Sequence, residues 1–562
     1  MNEGTTPVIV VGAGLSGLAT ALGCAERGRD VVVLETGDLV GGAAAYSGGQ
    51  VWVAANHVME REGIEDTLDL GERYVRSISH AHPELLDVAA MRRWLTIAPV
   101  ATRHWEHLGA IRWAIIPELA DYHDTVDGAL GVGRYLTNEV IDGSELGEWR
   151  ELLRVSPFFP VGTTYAEMYI KGRRLSLMEE DGGDEIAGHA GVPAFGLTDK
   201  DADSRVRRGD PLTFGTGVVG SFLARVLQEE HITILTGTRA VGLEQDDDGT
   251  VVGVRAEGVG GTQTFRGPVV LATSSYDWDP KLVEELLGLE PEDFGSVAPD
   301  TIQGDGIALA RSVGGAVVTI PPTSVPMLPG WRAMDGQGYS YGPEYAMPHC
   351  MIVDSSGRRY CDDSYWVDIA DKTMNPQDRH LPFFFIWDDQ HRQKYGIAAT
   401  PPGGTYPESW AHSAPTLREL GESLGIDGEQ LERTAARFSE FAEKGEDPDF
   451  GRGTVPYVAR FAGDPQNSPS PVLGPIVQPP FYGLRLKFVG TAIGSSGVHI
   501  DGDGHVLDEA GHAVPGLYAV GSVAALTTMG SGYNSGFALG RGLTLAYLVS
   551  RELTGAPVPP MS

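Results

Sequence analysis

The feature that most constrains the fold is a G-x-G-x-x-G pattern near the start of the chain, formed by Gly12, Gly14 and Gly17. It stands between a short β-branched run, "PVIVV", and a segment with helical apolar spacing, and a second apolar strand, "DVVVLE", follows. In such a unit the first glycine permits a tight turn, the second lets the backbone approach a pyrophosphate, and the third allows close helix–strand packing. Glu35 ends the second strand, where a carboxylate can bond ribose hydroxyls. The pattern therefore predicts a dinucleotide-binding βαβ unit.

The α/β pattern is divided into three pieces. Residues 57–155 are mostly helical in pattern, 156–210 are irregular, α/β character returns after 210, and 279–480 form a block rich in proline and aromatic residues. A chain of 562 residues is too long for one hydrophobic core. We predict an α/β protein in which a discontinuous Rossmann-like nucleotide domain receives an inserted α+β substrate or catalytic domain. The boundaries are 1–278 (with a helical insertion at about 57–210) and 481–562 for the nucleotide domain, and 279–480 for the inserted one.

Charge and cysteine content exclude several classes of partner. The 42 basic and 76 acidic residues leave a net charge of -34, which argues against nucleic acid and against anionic membrane surfaces. No apolar run reaches membrane-spanning length, and the N-terminus has no basic leader region. The three cysteines form no C-x-x-C pair, so no metal site is expected. We expect a cytoplasmic protein with no transmembrane segment, and its oligomeric state is left open.

A second glycine-rich segment, "VGGAAAYSGG", follows Glu35 within a few residues. Here the sequence resembles the FAD-binding family that includes fumarate reductases and 3-ketosteroid Δ1-dehydrogenases. "VVLATSSYDWDPKLVEELLG", "TIQGDGIALARSVGGA" and "VPGLYAVGSVA" resemble later segments of the same family. The resemblance implies FAD as cofactor and a Rossmann-like FAD-binding domain. It implies these cofactor-binding residues: Gly12, Gly14, Leu15, Ser16, Gly17, Glu35, Gly41, Gly42, Ala43, Ser47, Gly48, Gly49, Val241, Ala272, Gly521, Ser535, Phe537 and Leu539.

A further glycine-rich helix entrance, "GSGYNSG", lies close to the C-terminal end of the sequence. In the family the last strand and the helix after it close the flavin site, with the helix amides directed at the pyrimidine end of the ring. The resemblance makes this segment part of the same FAD site, with Asn534 or Ser535 as the predicted helix cap. Arg541, one turn into the helix, is expected either to complement the charge of the reduced flavin or to lie at the surface.

Two branches of the family differ in their catalytic side chains. Fumarate reductases clamp dicarboxylates with arginines, and one arginine usually follows a segment that begins with GRR. Here the corresponding segment is "GRRYCDDSYWVDIAD", where no such arginine occurs and Tyr365 and Trp366 occupy the region. The ketosteroid branch uses tyrosines: a phenolate takes the proton α to a ring ketone, and the β-hydrogen leaves as hydride to flavin N5. A second phenol and a backbone N–H hold the ketone oxygen.

Resemblance to the ketosteroid branch implies four catalytic positions. Tyr365 corresponds to the base, Tyr122 lies near it, Tyr533 is the ketone-binding phenol, and Gly536 supplies the backbone N–H. Gly536 follows Tyr533 by three positions, whereas the branch usually has four. Each tyrosine could instead be a packed core residue with one satisfied hydrogen bond.

Five other residues near these motifs have a structural explanation beside a functional one. Tyr46 and Trp52 either line the flavin or pack in the core, and His123 is expected at the surface. Asp362 and Asp363 are expected to be solvated or bonded to the backbone rather than to carry protons.

The leading hypothesis is an FAD-dependent dehydrogenase that introduces a C=C bond next to the carbonyl of a cyclic ketone, either a 3-ketosteroid or a smaller ring. Its electron acceptor is unidentified. The alternative is a flavin-dependent enoate or fumarate-type reductase that runs this chemistry backwards. A third possibility is a flavoprotein fold kept for binding. A flavin hydroxylase is disfavoured, because we find no second G-x-G-x-x-G after a strand that would hold NADPH.

Overall fold

The computed structural model describes residues 6–157, 159, 162, 164–165, 210–321, 327–336, 338–398, 400–456, 458 and 462–557. The irregular segment predicted for 156–210 lies almost entirely outside these residues. Within the described part of the chain, no helix is long and apolar enough to cross a membrane.

The described residues form strands throughout the chain. In chain order the strands up to residue 271 are β1 (Val8–Val11), β2 (Val31–Leu34), β3 (Val51–Trp52), β4 (Trp113–Ile115), β5 (Tyr135–Asn138), β6 (Ile141–Asp142), β7 (Pro211–Leu212), β8 (Ile232–Leu235), β9 (Arg239–Gln245), β10 (Val251–Gly258), β11 (Gly261–Arg266) and β12 (Val269–Leu271). The later strands are β13 (Phe294–Ser296), β14 (Val317–Val318), β15 (Leu328–Arg332), β16 (Tyr339–Tyr341), β17 (Cys350–Asp354), β18 (Phe383–Trp387), β19 (His412–Ala414), β20 (Phe481–Arg485), β21 (Lys487–Gly490), β22 (Gly497–Val498), β23 (His505–Leu507) and β24 (Ala513–Ala519).

Helices alternate with these strands at both ends of the chain. They are α1 (Leu15–Ala25), α2 (Gly42–Tyr46), α3 (His57–Glu62), α4 (Leu68–Ile78), α5 (Val88–His107), α6 (Phe214–Val226), α7 (Pro280–Leu287), α8 (Asp305–Ser312), α9 (Trp366–Thr373), α10 (Asp389–Lys394), α11 (Leu417–Leu424), α12 (Gly428–Lys444) and α13 (Phe537–Leu553). Short 3-10 turns lie at Pro83–Leu85, Gly143–Arg150, Pro343–Ala346 and Gly521–Val523.

Distant parts of the chain build one central sheet, in the order β23-β24-β12-β1-β2-β8. β1 lies in the middle and pairs in parallel with β2 on one side and β12 on the other. All four residues of β1 are buried, as expected for a parallel strand covered on both faces. Helix α1 lies against α13 so closely that a Cβ on Gly23 would come 2.4 Å from the Ser550 hydroxyl oxygen. The predicted α/β class with a discontinuous Rossmann-like sheet is confirmed, and the domain boundaries stay a prediction.

A second layer carries two further sheets, β17-β18-β20-β19 and β13-β21-β15-β16. β18 is the apolar run "FFFIW", all of whose residues are buried. Antiparallel pairing joins β18 to β17 and β20, and β13 pairs with β21 in parallel. Tyr365 lies in the segment that connects β17 to β18, immediately before α9.

The acidic pair in front of α9 is buried, whereas solvation was one of the two expectations for it. Asp363 pairs with Arg359 and Arg452, at 2.8 Å each, and accepts the Ile352 N–H at 2.8 Å. Burial would raise the pKa of Asp363, but the two guanidinium groups outweigh it and hold that pKa at about 2. The Asp362 carboxylate accepts the N–H and the hydroxyl of Ser364, and burial raises its pKa to about 6. Both acids therefore hold the turn that positions Tyr365.

Candidate active site

A deep cleft lies at the carboxyl end of β1 and β12, with an empty volume of about 1250 Å³ that includes open solvent at its mouth. Segments from the beginning, the middle and the end of the chain form its walls, and most of the residues that the sequence suggested are among them. The predicted residues that line the cleft are Gly12, Gly14, Leu15, Ser16, Glu35, Gly42, Ala43, Ser47, Gly48, Ala272, Gly521, Tyr533, Ser535, Gly536 and Leu539.

The three glycines of the first motif play different roles. Gly12 has φ +109°, and a Cβ there would lie 2.4 Å from the Ala272 carbonyl oxygen. A Cβ on Gly17 would lie 2.0 Å from the Gly12 carbonyl oxygen, so this glycine allows α1 to pack on the turn. Gly14, the residue that precedes α1, differs: the nearest atom to its Cβ would be the Gly41 carbonyl oxygen, at 3.9 Å. The space beside Gly14 is therefore left for a ligand.

The second glycine segment closes against the first. The Gly41 N–H donates to the Ala13 carbonyl at 2.9 Å, and Gly41 forms an isolated parallel bridge with Gly14. Gly41 and Gly42 both have positive φ, at +115° and +53°. A Cβ on Gly42 would come 3.4 Å from the Gly14 Cα. Two stretches of bare backbone thus face each other at the base of the cleft, where a pyrophosphate would bind.

Glu35 lies at the end of β2 and connects this loop to the next turn. Its Oε2 accepts the Ala13 N–H at 2.9 Å, and its Oε1 accepts the Gly37 N–H at 2.9 Å. Burial raises the pKa of Glu35, and the two backbone donors and Arg154 oppose that rise. Each carboxylate oxygen can accept a second hydrogen bond, so Glu35 can still take a ribose hydroxyl. The glycine cradle and this acceptor fit the pyrophosphate and the ribose of an FAD molecule.

The entrance of α13 forms the opposite wall of the cleft. Gly536, with φ +80°, is the cap residue, and its carbonyl accepts the Trp52 N–H at 3.1 Å. A Cβ on Gly536 would lie 2.6 Å from the Trp52 nitrogen, so only glycine lets the helix approach β3 here. The first N–H groups of a helix have no intrahelical acceptor, and Ala538 and Leu539 bring this end to the cleft.

The predicted side-chain cap of α13 is wrong, because no side chain caps this helix. The Ser535 hydroxyl donates to Gln50 Oε1, and Asn534 turns away into the core. Arg541 is not at the surface: it is buried, and it donates to the carbonyl oxygens of Ala524 at 3.1 Å and Ala525 at 2.7 Å. Burial lowers the pKa of Arg541 to about 10, so the side chain is still charged at neutral pH.

Several predicted cofactor residues do not line the cleft. Gly17 and Gly49 do not line it and are required by close backbone packing, and Gly41 does not line it and is required by its positive φ of +115°. The Val241 side chain is exposed, while its neighbour Ala240 lines the cleft. Phe537 is buried, with its ring 4.8 Å from that of Trp52 and 5.2 Å from that of Trp94. Trp52 packs in the same core cluster and donates its indole N–H to Asp121 at 2.7 Å.

Three tyrosines from distant segments lie near one another, and of these Tyr122 and Tyr365 are not among the residues that line the cleft. Tyr533 lines the cleft, and the pKa of its phenol is raised well above 10, first by burial and then by the neighbouring phenol of Tyr122. Burial and then Tyr122 also raise the pKa of Tyr365. The Tyr122 ring lies 6.1 Å from that of Trp366, the residue that follows Tyr365. Tyr122 is therefore a near neighbour of both other tyrosines.

Two residues that the sequence reasoning missed lie in the segment that approaches Tyr122. Glu344 is buried and Tyr341 is half-buried, and the pKa of Tyr341 is raised to about 12, first by desolvation and then by Tyr122. The aromatic-rich stretch around them, "YSYGPEYAMPH", was the available signal, but it predicts a core equally well. His123 was expected at the surface. It is instead partly buried, its Nε2 lies 3.2 Å from the Tyr533 carbonyl oxygen, and burial lowers its pKa.

The glycine geometry predicts that Gly14→Ala separates cofactor binding from folding. The new methyl would meet no protein atom closer than 3.9 Å, so the apoprotein should unfold at the wild-type temperature. It would enter the space left for the cofactor, and we expect FAD affinity to fall about tenfold or more, since overpacking costs about 1–3 kcal/mol. Fluorescence titration of the apoprotein with FAD measures the change.

Two further variants control this test. Gly131→Ala, at an open position with no atom within 4 Å, should bind FAD normally, whereas Gly17→Ala should fail to fold. Wild-type FAD affinity in Gly14→Ala would show that the cofactor does not approach this glycine.

The fold and the cleft define a Rossmann-type flavoenzyme, and comparison with known proteins agrees. Residues 7–540 match the profile of a family described as "FAD binding domain". The chain is 31% identical, over 98% of its length and 93% of the relative's, to 4-oxocyclohexanecarboxylate 2-dehydrogenase of Sinomonas cyclohexanicum. It is 27% identical to 3-oxosteroid 1-dehydrogenase of Mycolicibacterium smegmatis, over 97% of this chain and 96% of that one.

A solved structure shares the fold. The 3-ketosteroid delta1-dehydrogenase from Sterolibacterium denitrificans, in complex with 1,4-androstadiene-3,17-dione, superposes with a TM-score of 0.79 at 22% identity, covering 98% of this chain and 99% of that one. The chain belongs to the FAD-binding family. It is an FAD-dependent oxidoreductase, so the cofactor, the enzyme class and the family predicted from the sequence are confirmed.

Proposed function

We propose that this protein is a ketone desaturase that introduces a C=C bond α,β to a ring carbonyl. The observation that carries the proposal is the position of Tyr533 and Gly536 in the cleft wall at the entrance of α13. Two further tyrosines lie near this entrance: the Tyr122 N–H donates to Asn534 Oδ1 at 2.9 Å, and the Tyr122 ring lies 6.1 Å from that of Trp366, the residue after Tyr365. The names of the relatives agree, since they act on an oxocyclohexane carboxylate and on 3-oxosteroids. The greater identity to the first makes a small ring the first substrate to test.

The proposed chemistry removes one proton and one hydride from adjacent carbons of the ring. Bound FAD supplies the two-electron acceptor that takes the hydride from the β-carbon. Tyr365, as phenolate, accepts the α-proton on its oxygen, and the electrons of that C–H bond become the new double bond. The buried surroundings that raise the pKa of Tyr365 also make its phenolate a strong base once it forms.

Tyr533 and Gly536 are assigned to the ketone oxygen. Since burial holds the pKa of Tyr533 well above 10, its phenol keeps its proton at neutral pH and can donate it in a hydrogen bond. The Gly536 N–H at the start of α13 adds a second donor, and the dipole of the helix favours negative charge at this end. Together they would stabilise the oxygen as it gains enolate character, which is the logic of an oxyanion hole.

The proposal predicts that the yellow holoenzyme bleaches when it is mixed anaerobically with a cyclic ketone. The test compares 4-oxocyclohexanecarboxylate, unsubstituted cyclohexanone and a 3-ketosteroid, with flavin absorbance followed in a stopped-flow instrument and the unsaturated product identified by mass. Bleaching by one class and not the other assigns the substrate. The absence of bleaching with all three would overturn the proposal.

The reverse reaction is tested in the same apparatus. Oxidation of a reduced dye by an unsaturated acid, with no reaction of the saturated ketones, would instead identify an enoate reductase. In these assays an artificial acceptor dye replaces the physiological electron acceptor, which is unidentified. The proposal also includes a cytoplasmic location for the enzyme.

A further inference from the structure

Asn534 lies between the two residues assigned to the ketone oxygen, and its side chain is fully buried at 0% exposure. Its Oδ1 accepts three hydrogen bonds: from the Tyr74 hydroxyl at 2.7 Å, the Tyr135 hydroxyl at 3.0 Å, and the Tyr122 backbone N–H at 2.9 Å. Its Nδ2 donates to the Ser535 carbonyl at 3.0 Å. Both ends of this one amide are therefore bonded to the protein.

The bonds of Asn534 join parts of the chain that are distant in sequence. The partners at Tyr74, Tyr122 and Tyr135 are 460, 412 and 399 positions away. A second link runs parallel to the first, because His123 Nε2 lies 3.2 Å from the Tyr533 carbonyl oxygen and the His123 N–H donates to the Tyr74 hydroxyl at 3.3 Å. The Tyr122 and Tyr533 segments are thus joined by residues that are not among those lining the cleft.

The Tyr122 segment is held from its other side by charge. Asp121 accepts the Trp52 indole N–H at 2.7 Å and pairs with Arg134 at 2.8 Å, and Arg134 also pairs with Asp66 at 2.7 Å. All four side chains are buried. With one side fixed by this ion-pair network, the bonds to Asn534, together with the weaker link from His123 to the Tyr533 carbonyl, set how the Tyr122 segment sits relative to Tyr533.

We infer that Asn534 is a positioning residue for the desaturation, in that its carboxamide sets the geometry between Tyr122 and the ketone-binding pair Tyr533 and Gly536. This inference rests on the proposed function. Asn534 touches no reacting atom in this scheme and acts through the tyrosines. A misplacement of about 1 Å in a reacting constellation can cost about 100-fold in rate, so loss of the carboxamide should reduce the rate of reaction more than the binding of substrate.

The test compares Asn534→Ala with Asn56→Ala as a matched control. Asn56 is also buried, with an Oδ1 that accepts two backbone N–H groups and an Nδ2 that donates to two carbonyls, and its partners do not include the active-site tyrosines. In the holoenzyme, stopped-flow flavin reduction at varied ketone concentration separates the limiting rate from the substrate dissociation constant. Thermal unfolding and FAD content are measured for each variant.

We expect Asn534→Ala to keep its FAD and to lose about tenfold to 100-fold in the limiting rate, with a change of less than threefold in substrate dissociation constant. Asn56→Ala should lose comparable thermal stability and keep the wild-type limiting rate. Asn534→Asp, which keeps the accepting oxygen, should recover part of the rate. If Asn534→Ala does not fold, Tyr74→Phe removes one of the three donors to Asn534 and keeps the ring packing. This variant should also lower the limiting rate of flavin reduction.

A wild-type limiting rate in folded Asn534→Ala, or in Tyr74→Phe where the alanine variant does not fold, would overturn the inference, as would an equal loss in Asn56→Ala. Either result would leave the proposed function standing, because the wild-type enzyme would still bleach with ketone. Failure of the wild-type enzyme to bleach would remove the proposed function itself, so the two failures are distinguishable.

Discussion

Tyr365→Phe is expected to lower the limiting rate of flavin reduction by ketone about 10²- to 10⁴-fold, the range that one general base contributes. Phenylalanine keeps the ring but has no oxygen to accept the α-proton. Asp362 and Asp363 hold the turn before α9 through bonds that do not involve the phenol, so folding and FAD content should be unchanged. Stopped-flow reduction under anaerobic conditions measures the rate.

The pH dependence gives this prediction a second readout. Burial raises the pKa of Tyr365, so at neutral pH only a small fraction of the enzyme carries the phenolate, and the rate should rise with pH in the wild type. The residual rate of Tyr365→Phe should lack that rise. Tyr360→Phe is a matched control, because Tyr360 is equally buried and its hydroxyl bonds Thr373 at 2.7 Å. A wild-type rate and pH profile in Tyr365→Phe would assign the base to another group.

Tyr533→Phe is the second large effect, with an expected loss of about 10²- to 10³-fold in kcat, the cost of removing one oxyanion-hole donor. Its ring packs at 6.4 Å from that of Phe537, and phenylalanine keeps that contact, so the cleft should still bind FAD. Steady-state turnover with an acceptor dye gives kcat, and the flavin spectrum reports the cofactor. We expect a smaller change in KM, because in the proposed mechanism the phenol would stabilise the ketone oxygen most when that oxygen carries negative charge.

Tyr547→Phe serves as the control for Tyr533, since Tyr547 lies on the same helix α13 and is also buried. It should leave kcat within a factor of about two, within the scatter of a neutral substitution. If Tyr533→Phe turned over ketone as fast as this control, the ketone oxygen would be held by another group.

Local sequence signals predicted many of the residues that line the cleft. Gly12, Gly14 and Gly17 act through the lack of a Cβ at their own positions, although the atom that excludes a Cβ at Gly12 belongs to the distant Ala272. Glu35 lies at the end of the next strand in the chain. A motif of this kind can be predicted from the sequence, because its physical requirement is the absence of a Cβ, and glycine at single positions meets that requirement. The parallel strands β1 and β2 could be predicted as well, because each is a continuous apolar run made mostly of β-branched residues.

Side-chain environments were predicted less well. Asn534 was predicted to cap α13 because of its place before the helix. Its amide oxygen instead accepts hydrogen bonds from three donors in other segments, two of them tyrosine hydroxyls. Arg541 and Asp363 are charged residues, for which exposure is the usual expectation, and both are buried with partners elsewhere in the chain. Such partners depend on contacts between distant segments, which no local pattern encodes.

The sequence by itself therefore determined the βαβ unit, the FAD cofactor and the family, because these depend on residues close together in the chain and on backbone conformations that only glycine adopts freely. Only the tertiary structure decided that Tyr122 lies beside both Tyr365 and Tyr533 and that Asn534 joins two of these three segments. The physical reason is that a catalytic constellation is a set of distances between side chains. Here those distances are set by the packing of a sheet, an inserted layer and a C-terminal helix that are separated by hundreds of residues.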